Sequence, residues 1–279
     1  MVKADSRRSV LLHLHLFKNA GSTFDWSLQQ GFGSAFCDHR DDAAMRGKPT
    51  YLRTFLEENE DLRALSSHWL PLPVPPSELV TAHTVVLLRD PIERMASVYA
   101  FERRQQVEHA GTAHARSMEF GDYVRWRLEP GTGPVIRNYQ MRMLSGNHPG
   151  PDSDAQLEVA RAALRNRLYA GLVHRYDESM CLLEHELGGE FPNLDLAYRR
   201  QNVSDPADDR SLRERRRDVE AQLGDLREAA LAANARDMAL FAAAESAFTQ
   251  RWQALPKREK KLAAFRERCA ALASTDERG

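Results

Sequence analysis

The sequence predicts an α/β fold, a central parallel sheet flanked by helices with a largely helical C-terminal third. Three observations predict it. Residues 9–17 (SVLLHLHLF) and 83–90 (HTVVLLRD) are short apolar runs bounded by polar residues, the pattern of central strands in a parallel sheet. Each leads at once into a helix-like stretch, and a third run, YAGLV at 169–173, does the same. From Asp208 onward, Leu226, Ala230, Ala233, Phe241, Ala244, Phe248 and Trp252 recur mostly at three- and four-residue steps, the apolar stripe of packed helices.

The elements follow in order. After the first strand, STFDWSLQQ (22–30) turns helical, and YLRTFLEENEDLRAL (51–65) reads as a second helix. SSHWLPLPVPPSE (66–78) holds four prolines and reads as a loop or short strand. At the end of the second apolar run, Asp90 is placed to cap a helix, Pro91 to begin it and IERMASVYAFERR to continue it. Helices broken by EPGTGP fill residues 120–144, SDAQLEVARAALRNRL (153–168) is amphipathic, and RYDESMCLLEHELGG (175–189) ends a helix in glycines. Residues 1–255 read as a single domain and 256–279 as a C-terminal helix and tail. No internal repeat is present.

Composition narrows the function. Thirty-nine basic residues against forty acidic leave a net charge of −1, so no overall field draws the chain to nucleic acid or an anionic membrane, and an anion site must be local. The basic run RSLRERRRD (210–218) carries acidic residues too and reads as a solvated helix face. No apolar run approaches the roughly 18 residues of a membrane span. The expectation is a soluble cytoplasmic protein with three reduced cysteines, Cys37, Cys181 and Cys269, which fit no metal spacing.

The chemistry gathers where the first strand meets its helix, in His15-Leu16-Phe17-Lys18-Asn19-Ala20-Gly21-Ser22-Thr23. A tight loop opening a helix leaves backbone N–H groups facing outward with the positive end of the helix dipole behind them, an anion cradle. Gly21 permits close approach, Ser22 and Thr23 add hydroxyls, and Lys18 adds a charge. The sheet is thus P-loop-like, but lysine precedes glycine and no earlier glycine stands in the loop, so the pattern is not that of a nucleoside triphosphatase.

The order Lys-x-x-Gly-[Ser/Thr]-[Ser/Thr] after a strand resembles the 5′-phosphosulfate loop of sulfotransferases that use 3′-phosphoadenosine-5′-phosphosulfate (PAPS). LLRDPIERMASVY (87–99) resembles the 3′-phosphate motif of the same family. The resemblance is nearest the branch containing heparan sulfate 2-O-sulfotransferase and its bacterial relatives, and NYQMRMLSG, GLVHRYDESMCLLEHELG and NARDMALFAAAESAF extend it from about residue 10 to 252. Phe17 stands where the branch usually has proline.

The resemblance implies that Lys18, Asn19, Ala20, Gly21, Ser22 and Thr23 hold the donor's 5′ end, that Arg89 and Ser97 hold the 3′-phosphate, and that Arg200, or its neighbour Arg199, supplements it; an exposed arginine pair is the alternative. Lys18 neutralises the leaving phosphate. His68 in LSSHWLPLP lies where the branch carries its base, although the first of the branch's two histidines is here Ser66. His15 is placed to meet substrate, to orient Lys18 or simply to fill the core, and His13 reads as structural. Asn138, Gln140 and Arg142 are candidates for the acceptor side. No compact His/Cys/Asp cluster is visible and no metal is implied. The expected activity is sulfuryl transfer from PAPS to a hydroxyl of a carbohydrate or polysaccharide. The alternatives are a natural-product or lipid acceptor, a P-loop kinase, and a non-catalytic nucleotide-binding relative.

Overall fold

The computed structural model describes residues 7–48, 50–147, 150–199, 201 and 210–274. Five parallel strands form one sheet in the order β2-β3-β1-β4-β5: β1 (Arg8–Leu14), β2 (Phe36–Asp38), β3 (Ala64–Ser67), β4 (Val80–Leu88) and β5 (Leu168–Leu172). Leu11, Leu12 and Leu14 are completely buried, as are Val85 and Val86 of β4, which is why these runs could be read as central strands. Leu14 lies level with Ser67 on one side and Val86 on the other, so β1 and β3 end together at the carboxyl edge and β4 runs two residues beyond them. The chain leaves β1 toward β3 and β2 and leaves β4 toward β5. That reversal is where open α/β sheets bind ligands.

The helices are α1 (Gly21–Phe32), α2 (Asp42–Gly47), α3 (Tyr51–Glu58), α4 (Pro91–Arg104), α5 (Ala110–Ser117), α6 (Phe120–Leu128), α7 (Tyr139–Leu144), α8 (Asp154–Asn166), α9 (Tyr176–Leu187), α10 (Leu212–Leu223), α11 (Arg227–Ala233), α12 (Ala235–Ala254) and α13 (Arg258–Ser274). They divide between two compact units. The first holds the whole sheet and comprises residues 1–88, 162–202 and 244–279; the second comprises 89–161 and 203–243. Within the first, α13 packs on α9 and buries Leu262 and Phe265, so the terminal helix is part of a core. Within the second, α4 packs against α5 and α10 around Ile92, Met95 and Val98.

Two expectations change. The helix expected over 51–65 stops at Glu58, and residues 64–67 form β3 instead; β2 had no sequence counterpart. Asp90 caps α4 as expected, its Oδ1 accepting from the amides of Ile92 (2.9 Å) and Glu93 (3.0 Å), with Pro91 opening the helix. Among the described residues no helix is long and apolar enough to cross a membrane.

Candidate functional site

The loop after β1 is drawn tight by its own backbone. Lys18 and Ala20 both take left-handed conformations, with φ of 64° and 60°, in a region that side chains disfavour. Between them, buried Asn19 donates its Nδ2 to the carbonyl of Leu87 (2.7 Å), which moors the loop to the end of β4. Ala20 precedes α1 with no side-chain cap, and its carbonyl accepts from the amides of Thr23 (3.1 Å) and Phe24 (3.3 Å). Among the described residues the amides of Gly21 and Ser22 have no hydrogen-bond partner, which leaves the positive end of α1 open to an anion. Lys18 is half-buried and Ser22 exposed, while the Thr23 hydroxyl accepts from the amide of Gln201 (3.1 Å).

Beside the loop lies a constellation assembled from four segments. His13 lies in β1 and His15 one residue past its end, two positions apart and so on the same side of the chain. Both turn toward Asp25 of α1: His13 Nδ1 is 2.6 Å from Oδ1 and His15 Nδ1 2.7 Å from Oδ2. Burial pushes the Asp25 carboxyl up, but His13 and His15 outweigh it and hold the group well below the usual carboxylate range. An ionised carboxylate only accepts, so both Nδ1 atoms carry protons. His13 Nδ1 also lies 3.1 Å from Ser66 Oγ, and Arg40 donates to Asp25 Oδ2 (3.2 Å) and pairs its Nε with Asp38 (2.6 Å).

His68, just past β3, completes the group. Its Nδ1 donates to the carbonyl of His15 (2.7 Å), and its Nε2 accepts from Arg40 (2.7 Å). The two imidazoles stand 4.5 Å apart, centre to centre. Burial is the main influence lowering both His15 and His68 below the usual histidine value; for His15 the Asp25 hydrogen bond opposes it, and for His68 the charge of His15 adds to it.

Gly21 is dictated by this arrangement. A Cβ there would stand 2.2 Å from Cδ2, 2.3 Å from Nε2 and 2.6 Å from Cγ of His15. The imidazole lies against the glycine that opens α1.

The fold thus assembles the kind of His/Asp cluster that the sequence reading found missing: His13, His15 and Asp25 gather their ligand atoms within 4.8 Å. Nitrogen-to-oxygen separations of 2.6 and 2.7 Å are nonetheless hydrogen bonds, whereas two ligands of one tetrahedral zinc stand about 3.3 Å apart.

Arg89, Ser97, Asn138, Gln140 and Arg142 belong to the second unit, Arg199 to the first. Arg89 follows directly on β4, and Gln140 clamps its peptide, accepting from its amide (3.0 Å) and donating to its carbonyl (2.9 Å). Arg89 Nε lies 3.8 Å from Glu93, which also receives Arg215 of α10, and Arg216 reaches Asp90 (3.3 Å). The basic run is therefore not wholly a solvated face. Ser97 is half-buried on α4.

Asn138 and Gln140 are structural. Asn138 Oδ1 accepts from the amides of Arg236 and Asp237 at the start of α12, and Asp237 accepts from those of Gln140 and Met141 at the start of α7. Arg142 pairs with Asp152 (2.6 Å) beside a cavity of about 360 Å³ that Arg137 and Arg236 also line. Arg199 donates to the carbonyl of Leu272 in α13 (3.0 Å), while Arg200 lies outside the described residues.

Sequence reasoning missed Asp25, Arg40 and Arg215. For Asp25 a signal existed: with Gly21, Phe24 and Leu28 it occupies the i, i+3, i+4, i+7 stripe of α1, and all four are buried. A carboxylate on the inner stripe and two histidines within a buried strand are complementary anomalies.

No family model matches the chain. It is similar to an uncharacterized protein of Archaeoglobus fulgidus, with 29% identity over 245 residues that span 84% of this chain and 95% of that protein.

Proposed function

We propose that the chain is a PAPS-dependent sulfotransferase acting on an acceptor hydroxyl, with a carbohydrate or polysaccharide as the acceptor class. One observation carries the reading: the Lys18–Thr23 loop opens α1 after β1, and the Arg89–Asp90–Pro91 motif follows β4, the parallel neighbour of β1. Both motifs have the residues and the order of the sulfotransferase pattern. Lys18 with the amides of Gly21 and Ser22 takes the 5′-phosphosulfate, and Arg89 with Ser97 takes the 3′-phosphate, a guanidinium gripping two oxygens and a hydroxyl a third.

In the reaction the acceptor oxygen attacks sulfur in line with the departing phosphate. Lys18 balances the charge that builds on the leaving oxygen. The acceptor's proton goes to a histidine of the His15–His68 pair. The chain itself supplies the positive charge for these steps.

Calorimetric titration with 3′,5′-adenosine bisphosphate, the spent donor, tests the reading. Binding is expected, with preference over adenosine 5′-monophosphate, and Arg89→Ala should erase about tenfold or more of that preference because charge-assisted hydrogen bonds are lost. Absence of binding by the folded protein at millimolar ligand refutes it. Preference for ATP with magnesium selects a kinase instead.

A further inference from the structure

We infer that His15, oriented by Asp25, is the group that takes the acceptor's proton, and that His68 and Arg40 are its positioning partners. The inference rests on the sulfuryl-transfer reading for its substrate, while the choice between the two imidazoles rests on geometry alone.

A general base needs an unengaged lone pair, an environment that tolerates the cation it becomes, and a place beside the reacting atoms. His13 is sealed in the sheet, completely buried. His68 has its lone pair on Nε2, where Arg40 already donates at 2.7 Å. Proton uptake there would set two N–H donors and two positive charges face to face, so His68 cannot become an imidazolium in this arrangement. His15 meets all three demands. Its Nδ1–H is committed to Asp25, its Nε2 has no hydrogen-bond partner among the described residues, and that atom lies against Gly21 where the open amides of α1 begin. When Nε2 takes a proton, the positive ring remains bonded to the ionised carboxylate, the logic by which a buried Asp serves a catalytic His.

The groups facing His15 are Asp25 from α1, His13 along β1, Arg40 from the segment after β2, whose Nη2 lies 3.4 Å from His15 Nδ1, and His68 from beyond β3. Asp25 alone among them favours the cation, and Asp38 draws part of the Arg40 charge away through its 2.6 Å pair. Burial, opposed by Asp25 and seconded by His13 and Arg40, leaves His15 below the ordinary histidine value and hence neutral and able to accept at neutral pH.

The step balances. The acceptor O–H gives its proton to His15 Nε2, its oxygen forms the new O–S bond, and the bond from sulfur to the donor's phosphate oxygen breaks. The electron pair stays on the bisphosphate, opposite Lys18, and the imidazolium later returns its proton to water.

The test needs no knowledge of the acceptor. Diethylpyrocarbonate attacks an imidazole nitrogen that carries a free lone pair, so modification of the full chain is followed residue by residue with peptide mass spectrometry between pH 5 and 8. His15 should react about tenfold or more faster than His68, because freeing the His68 lone pair means breaking a hydrogen bond from a charged donor. Its rate should rise with pH through a midpoint below the ordinary 6.5, and adenosine bisphosphate should protect it. Asp25→Asn should move that midpoint lower, because the charge that favours the imidazolium is gone. Should that variant not fold, Arg40→Met serves: it uncovers His68, whose labelling should rise at least several-fold while His15 still reacts.

Faster reaction at His68 in the unaltered chain, an inert His15, or a midpoint that Asp25→Asn leaves in place overturns the assignment. Failure of the bisphosphate to bind in calorimetry, with the labelling order as expected, removes the donor reading and leaves the Asp25–His15 base standing.

Discussion

Replacing Gly21 with alanine sets two physical effects against each other with opposite signs. Gly21 is the first residue of α1 and has an ordinary helical backbone, so helix propensity alone makes alanine stabilising by about 0.5–1 kcal/mol. The new methyl would meet the His15 ring at 2.2–2.6 Å, whereas a comfortable carbon–carbon contact is about 3.5–4.0 Å. The ring must retreat by roughly 1 Å or more. His15 Nδ1 then leaves Asp25 Oδ2, now 2.7 Å away, and a hydrogen bond to a charged group is worth about 1.5–3 kcal/mol. Strain from overpacking adds about 1–3 kcal/mol. The expected net cost is about 1.5–5.5 kcal/mol, read as a lower urea midpoint with an unchanged slope. A Gly21→Ala protein as stable as the parent, or more stable, would refute the claim that His15 and Asp25 dictate the glycine.

Three further outcomes are expected. Lys18→Ala should slow sulfuryl transfer by about 10²-fold or more while the protein remains folded, and unchanged turnover would remove the lysine from its assigned role. Arg89→Ala should cost affinity for the bisphosphate and much less for the 5′-monophosphate; equal losses would mean that it does not read the 3′ group. Stability should fall on acidification from pH 7 to 5. His15 and His68 are lowered in the folded chain, so below about 6.5 the unfolded chain binds protons first; their contribution is complete above that value and drains away as pH drops toward the folded values. Asp25, also depressed, adds its own loss below the ordinary carboxylate value, and a urea midpoint flat from pH 7 to 5 would contradict the histidine part.

What could be read from the chain was whatever sequence neighbours encode together. β1, β4 and β5 declared themselves because a strand buried on both faces must be apolar throughout, and the loop after β1 because its lysine, glycine and hydroxyls are contiguous. β3 was hidden for two reasons. Leu52 and Leu56 stand four residues apart and Leu62 and Leu65 three apart, steps that a helix also takes, on either side of the real helix end at Glu58. Two of the strand's four residues are serines, buried yet paired: the Ser67 carbonyl accepts from His15 and that of Ser66 from His39. The Asp25 constellation was hidden because its members come from β1, α1, the end of β2 and the end of β3. Polar residues at such positions look like interruptions until the sheet sets them side by side.

That constellation should also couple anion binding at the loop after β1 to a proton. Asp25 is a buried negative charge close behind the amides of Gly21 and Ser22, an odd neighbour for an anion site, and the His15 ring stands against Gly21 while bonded to Asp25. A neutral ring screens little. A protonated one places a positive charge between two negative ones, so an anion in the loop should raise the proton affinity of His15, and by reciprocity proton uptake should tighten the anion. The donor would thereby strengthen the base it needs. The expected signature is net proton uptake on binding the bisphosphate near pH 6.5, measured by calorimetry in two buffers of different ionisation enthalpy. Phosphate itself titrates near pH 6, so the relevant quantity is the uptake lost in His15→Asn under the same conditions. If the variant and the parent take up the same number of protons, the loop and the dyad are electrostatically independent and the coupling does not exist.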